Sequence, residues 1–408
     1  MPGHIQDRWF KDEKQPDGTT KRVKTDRHGT GLRYRARYIG PDGTEKSKSF
    51  PDRQKRAAEQ WLIRTAADMA AGQYIDPKAS RITFQQYAEK YLGTLTTEEN
   101  SRAASERRLR LHAYPYIGTR PMGSFQPGHI RTWLRQLTTA VPSASHRLII
   151  YGSVSSLFNA AVDDALLPKN PCHARSVKAP APDPKQVRPW TVDQVRAVRR
   201  GLPEHLRTTV DVGAGCGLRQ GEIFGLPLDN LDFEGGWLAV RQQLKRVRGK
   251  FVFALPKRGK IRDVPLPEVV ADALREHMRR FPPMAVTLPW GSVDGAPVTK
   301  KLIFTGATGD FLRVSHFDDH KWKPALAAAG LIGTPEKGQR YPAAREHGMH
   351  ALRHFYASVL LDGGENIRAL SQYLGHRDPG FTLRVYTHLM PSSEGRTRNA
   401  VNRAFGTP

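Results

Sequence analysis

Residues 33–38 read Arg-Tyr-Arg-Ala-Arg-Tyr, an alternation that places Tyr34, Ala36 and Tyr38 on one face of a strand and Arg33, Arg35 and Arg37 on the other. Gly40-Pro41-Asp42-Gly43 turns the chain into a second basic strand, Thr44 to Phe50, carrying Lys46 and Lys48. The pattern then becomes helical, with Ala57, Ala58, Trp61 and Leu62 on one side. From Thr83, where Thr-x-x-Gln has the form of a capping box, helical periodicity runs through Tyr87, Tyr91 and Leu92, then Ile130 to Leu137 and Arg147 to Ala161. Alternate prolines in Lys178–Lys185 predict an extended linker. A second capping box, Thr191 to Gln194, opens helices at Val192–Arg200 and Leu206–Gly215. Three short β-rich runs, Trp237–Leu244, Phe251–Leu255 and Ile261–Leu266, predict a three-stranded antiparallel sheet with Lys257 on its second turn. Residues 281–309 are rich in Pro and Gly and predict an irregular excursion. Helices resume at His316–Ala329 and from Met349, the latter ended by Gly363-Gly364. The expected fold is multidomain, mainly α with small antiparallel sheets. Residues 1–28 carry no pattern that assigns an element.

Charge constrains the function of this chain more than its size does. The 408-residue chain has 64 Lys and Arg against 39 Asp and Glu, a formal charge of +25, which calls for a polyanionic partner, with nucleic acid the first candidate. An anionic membrane is disfavoured, because no apolar run reaches spanning length. Met1 to Trp9 includes Asp7 and no apolar core, so no secretory signal is expected and the protein should act in the cytoplasm. The two cysteines, Cys172 and Cys216, are far apart and lack metal-ligand spacing, which argues against a disulfide framework or a zinc ribbon. Arg107, Arg108 and Arg110 flank Leu109 and Leu111, so one helix offers both a core stripe and a cationic stripe; a plain solvated face fits equally well.

The chemistry-bearing residues fall in the last half of the chain. His350 and Arg353 lie three apart in a helical segment and project from about one face. An arginine fork bonds non-bridging phosphate oxygens bidentately, and Arg219 supplies a second fork. Two such forks suit the charge that grows in phosphoryl transfer. Tyr386 stands ten residues beyond His376. A phenol with a pKa of about 10 needs cationic and proton-transferring neighbours to act as a nucleophile. Plainer readings stand beside these: an i, i+3 ion pair for Arg219 and Glu222, and a packed core tyrosine for Tyr386. His350 and His354 have the spacing of a metal pair, but position 351 is alanine, so the glutamate of the zincin motif is missing. Gly213 to Gly217 is glycine-rich without the residues of a P-loop, and no nucleotide, metal or other cofactor is expected.

Taken in order, Cys216-Gly-Leu-Arg-Gln-Gly-Glu-Ile-Phe-Gly-Leu226, Pro256-Lys-Arg-Gly-Lys260, the His-x-x-Arg of His350 and Arg353, Leu374-Gly-His376 and Tyr386 resemble the tyrosine recombinase (phage integrase) family across nearly the whole chain. The resemblance implies catalytic roles for Arg219, Lys257, His350, Arg353, His376 and Tyr386. Glu222 would orient Arg219, and Lys257 would be the general acid for the departing 5′-hydroxyl, with Lys260 the second choice. It further implies an arm-type DNA-binding module over 1–79, a helical, SAM-like core-binding domain over 82–178, a catalytic domain over 187–395 and a tail over 396–408. In that family Tyr386 would form a 3′-phosphotyrosyl link. The protein would act as a homotetramer on paired double-stranded attachment sites, with an excisionase or DNA-bending protein as a further partner and the tail reaching a neighbouring protomer. The three-domain form implies integration and excision of a phage, plasmid or transposon. A type IB topoisomerase shares the chemistry, and a catalytically inert DNA-binding protein shares the charge; both remain alternatives at this level.

Overall fold

The computed structural model describes residues 3–386 apart from 17, 73, 77, 183–187 and 377, together with 398, 402 and 405. All of the tail except residues 398, 402 and 405 therefore lies outside the described residues, as does part of the linker, whose residues 178–182 carry no helix or strand. Two compact units divide the chain near residue 183.

The first unit contains two separate apolar clusters. In one, β4 (Tyr34–Ile39) lies between β1 (His4–Asp7) and β5 (Glu45–Phe50) in an antiparallel sheet. Its Tyr34, Ala36 and Phe50 pack against Ala58, Trp61 and Leu62 of the helix Lys55–Ala70. The unassigned N-terminal stretch thus supplies an edge strand, and also a hairpin of β2 (Phe10–Lys14) and β3 (Thr20–Lys24). Neither was legible, because these strands are polar and little buried. The other cluster is all helical. Thr83 closes its capping box with Gln86 before the helix Phe84–Thr94, and Phe84, Trp133 and Phe158 form the fully buried centre.

The second unit is built on one large core shared by helices and small sheets. The expected three-stranded sheet divides into two. β6 (Leu231–Asp232), β7 (Trp237–Val240) and β10 (Arg262–Pro265) form one, while β8 (Gln243–Val247) and β9 (Lys250–Ala254) form a separate hairpin. The long run Trp237–Leu244 breaks at Arg241-Gln242 because both side chains are engaged elsewhere. Gln242 is buried and donates to the Gly225 carbonyl at 2.8 Å, while Arg241 reaches the Arg262 carbonyl and the Asp263 carboxylate. The excursion is also ordered: β11 (Met284–Pro289) and β12 (Pro297–Leu302) make a hairpin, closed around Trp290 and Gly291, which bonds to Phe253 of β9. Its prolines stand at the strand ends, where the ladder tolerates them.

Candidate active site

Two helix ends create the floor of the site. The helix Glu204–Cys216 stops at Gly217, and the helix Ile367–Leu374 stops at Gly375, both in the left-handed conformation that caps helices. Their terminal carbonyls, Gly217 O and Leu374 O, point at one guanidinium, that of the wholly buried Arg353. A buried cation between two helix C-termini is stabilised by the negative ends of both dipoles. Arg219, two residues past Gly217, donates to the same Leu374 carbonyl at 3.3 Å, so the two forks converge on one atom. Burial first, then Arg219 and Arg262, lower Arg353 to about 9, which leaves it charged at neutral pH. Its Nε is buried without a partner among the described residues.

Glu222 balances this charge from beneath. Its carboxylate takes a bond from Arg219 at 2.9 Å and a bidentate pair from Arg262 at 3.0 and 2.6 Å, with no side-chain exposure. Burial alone would raise its pKa, but the bonds and charges of Arg262 and Arg219 outweigh it and hold it at about 2. The i, i+3 pair with Arg219 is real, yet it is one edge of a larger network rather than a surface contact. Arg262 also donates to the Tyr373 carbonyl at 2.7 Å, tying β10 to the loop that carries His376. Arg262 was not singled out from the sequence. The available signal was its place on the same strand face as the core residue Val264, where an arginine must find a buried acid.

Three histidines complete the cluster. His376 stands 3.1 Å from Arg353 through Nε2 and 2.7 Å from the Thr382 hydroxyl through Nδ1; burial, then Arg353 and Arg219, lower it to about 3. His350 is exposed at the start of the helix His350–Asp362. The surrounding protein, then the charges of His354, Arg353, Arg219 and Lys257, bring it to about 4. Lys257 is exposed on the turn Lys257–Gly259 and close enough for its charge to act on His350; Lys260 is exposed on the same loop. Tyr386, at the end of the helix Pro379–Tyr386, is 1% exposed, and burial raises its pKa against the opposing pull of Arg353 and Arg219. Its hydroxyl lies 2.8 Å from Nδ1 of His354, a residue considered from the sequence only as half of a metal pair. All six expected residues and Glu222 therefore belong to one region of the second unit.

The expected DNA contacts separate into free and engaged groups. Arg33 is committed to Asp7 and Asp52 and lies over the rings of Trp9, Phe10 and Tyr34. Lys46 is held by Asp42 and Asp76 at 12% side-chain exposure. The register places Lys46 and Lys48 opposite Tyr38 and Ala36, on the helix-packed face rather than beside the arginines. Lys48 is exposed near the rings of Phe50 and Trp61. Arg37 pairs with Glu45, and Arg35 bonds Ser47. On the helix Glu99–His112, Arg108 bonds Ser153 and Ser105, whereas Arg107 and Arg110 are exposed.

Known proteins resemble this chain in sequence and in fold. Residues 191–392 match the phage integrase family, and residues 83–138 match the phage integrase N-terminal SAM-like domain. A tyrosine recombinase XerC-like protein of Caldanaerobacter subterraneus is 28% identical, over 62% of this chain and 64% of its own length. The prophage phiRv2 integrase of Mycobacterium tuberculosis is 26% identical, over 90% of both chains. Among solved structures, the Tn1549 transposon integrase in complex with a circular intermediate DNA superposes with a TM-score of 0.64 at 20% identity, over 79% of this chain and 99% of that one. The lambda integrase tetramer bound to a Holliday junction gives 0.52 at 16% identity, over 84% and 93%.

Proposed function

Starting from a chain that belongs to the phage integrase family of tyrosine recombinases, we propose that it cuts and rejoins double-stranded DNA at paired attachment sites through a 3′-phosphotyrosyl intermediate formed by Tyr386. The observation that carries this reading is the convergence of Arg219 and Arg353 on one carbonyl, within the electrostatic reach of the Tyr386 hydroxyl. A scissile phosphate entering there exchanges carbonyl dipoles for its own non-bridging oxygens. Fixed donors aimed at a developing charge are the largest electrostatic contribution such a site makes. The phenolic oxygen bonds to phosphorus as the bond to the 5′-oxygen breaks, and Lys257 gives that oxygen its proton. The released 5′-hydroxyl of the partner strand reverses the step. Bond energy is kept in the phosphotyrosyl link, so the reaction needs no nucleotide.

The same reading assigns residues 1–79 to arm-site binding, 82–178 to the core site and 187–395 to catalysis. A homotetramer on two duplexes fits the assembly named for the lambda neighbour. The contribution of residues 396–408 to assembly, and of an excisionase or bending protein to direction, extend the proposal. Among the described residues no helix is long and apolar enough to cross a membrane. The test is strand exchange between two duplexes, each carrying the site that the protein selects from a random pool. Recombinant products with the wild type and none with Tyr386→Phe are expected. Relaxation of supercoiled DNA that lacks any such site, without recombinants, would assign the protein to strand relaxation instead.

A further inference from the structure

The phosphotyrosyl reading leaves one proton without a destination. Tyr386 must lose its hydroxyl proton as it attacks, yet that residue is 1% exposed. The atom that meets the hydroxyl is Nδ1 of His354, at 2.8 Å, with the ring centroids 5.7 Å apart. His354 lies on the helix His350–Asp362, next to Arg353 and one turn beyond His350, whose ring it meets edge-on at 4.7 Å. The groups that face it are therefore His350 and Arg353 from its own helix and Tyr386 from the helix Pro379–Tyr386. Arg219 and Lys257 act on His350. Burial first, then Arg353, keep His354 at about 4, so it is neutral and able to accept at working pH.

We propose that His354 is a catalytic residue for the reaction assigned above, its Nδ1 taking the Tyr386 hydroxyl proton as the phenolic oxygen bonds to phosphorus. In this arrangement Nε2 carries the ring proton and the tyrosine donates. The entering phosphodiester brings negative charge beside the imidazole and moves it back toward its ordinary value, as an anion does for any basic group. Atoms balance: the proton passes to His354, the 5′-oxygen leaves with the proton of Lys257, and religation returns both. The concerted transfer avoids a free phenolate next to a phosphate. His354 thus serves the nucleophile while Lys257 serves the leaving group.

The experiment is single-turnover cleavage by the full-length protein of its pool-selected duplex. The scissile position, once mapped with the wild type, is prepared with either an ordinary or a sulfur-bridged 5′ linkage. Glutamine keeps a hydrogen-bonding side chain but takes no proton. His354→Gln should slow adduct formation by about 10²–10⁴-fold near neutral pH, and its rate should climb as pH rises toward that of the free phenol. The thiolate leaving group needs no proton, so it should restore Lys257→Ala and leave His354→Gln slow. Difluorotyrosine at position 386, a more acidic phenol, should restore His354→Gln in part. If the Gln variant melts early, His354→Asn is read in the same way. Cleavage by a folded variant at the wild-type rate and with the wild-type pH profile, or rescue by the sulfur linkage, overturns the role. An adduct in Tyr386→Phe would defeat the phosphotyrosyl reading itself. Unimpaired cleavage by His354→Gln beside a silent Tyr386→Phe defeats only the assignment of His354.

Discussion

Glu222 holds two guanidinium groups at once, and this sets what single substitutions in the site will do. Replacing Arg262 by Met leaves a buried carboxylate with half of its partners. Such a loss costs about 3–5 kcal/mol, to be read from urea unfolding, and cleavage should fall with it even though Arg262 lies below the reacting atoms. Arg219→Ala is expected instead to slow cleavage by about 10²–10³-fold with DNA affinity nearly unchanged, as gel shift and single-turnover cleavage would show. The charged and neutral states also fix a pH response. His350, His354 and His376 are lowered from 6.5 to about 4, 4 and 3, so between these values and 6.5 the unfolded chain binds more protons than the folded one. Stability therefore falls as pH drops below 6.5. Glu222, lowered from 4.5 to about 2, adds a further loss as pH falls through that lower window. Unfolding midpoints that stay level from pH 7 down to 4 would contradict this. At this scale the recurrent boxes were readable because each is a short local pattern. Arg262 and His354 were not, because their partners lie 40 and 32 residues away and only the fold joins them.

The boxes have an element-scale meaning that their letters alone do not state. Gly217 and Gly375 are helix stops, at φ of 66° and 61°, and each is followed within two residues by a side chain of the site. An added methyl at Gly217 would meet the Tyr356 ring, and one at Gly375 would sit 3.1 Å from Cδ of Arg262. Gly217→Ala should cost about 2–3 kcal/mol through strained backbone and crowding together, and it should lower cleavage by displacing Arg219; thermal melting and cleavage of the same preparation check both. Helices and their capping boxes at Thr83 and Thr191 were legible because a side-chain oxygen and a periodic face are local signals. The sheets were less so. Trp237–Leu244 carries continuous β propensity, and its break at Gln242 depends on a carbonyl 17 residues away. The hairpin Met284–Leu302 was hidden by prolines that turn out to sit at its ends.

Across the whole molecule, a charge of +25 is spread over two units, and the structure sorts which cations remain available. Arg107→Ala and Arg110→Ala should each reduce the slope of log Kobs against log salt by about one. Arg33→Ala and Lys46→Ala should instead loosen the N-terminal module, since their charges already face Asp7, Asp52, Asp42 and Asp76. Composition pointed to a polyanion but was blind to this division, which rests on strand register. Whether Tyr386 is the nucleophile is decided by incubating the protein, without metal or ATP, with its selected site nicked near the exchange point, and digesting the denaturant-resistant product. A protein–DNA adduct on the peptide that contains Tyr386, absent in Tyr386→Phe, is expected. An adduct on another residue, or tight and specific binding with no adduct, would contradict it.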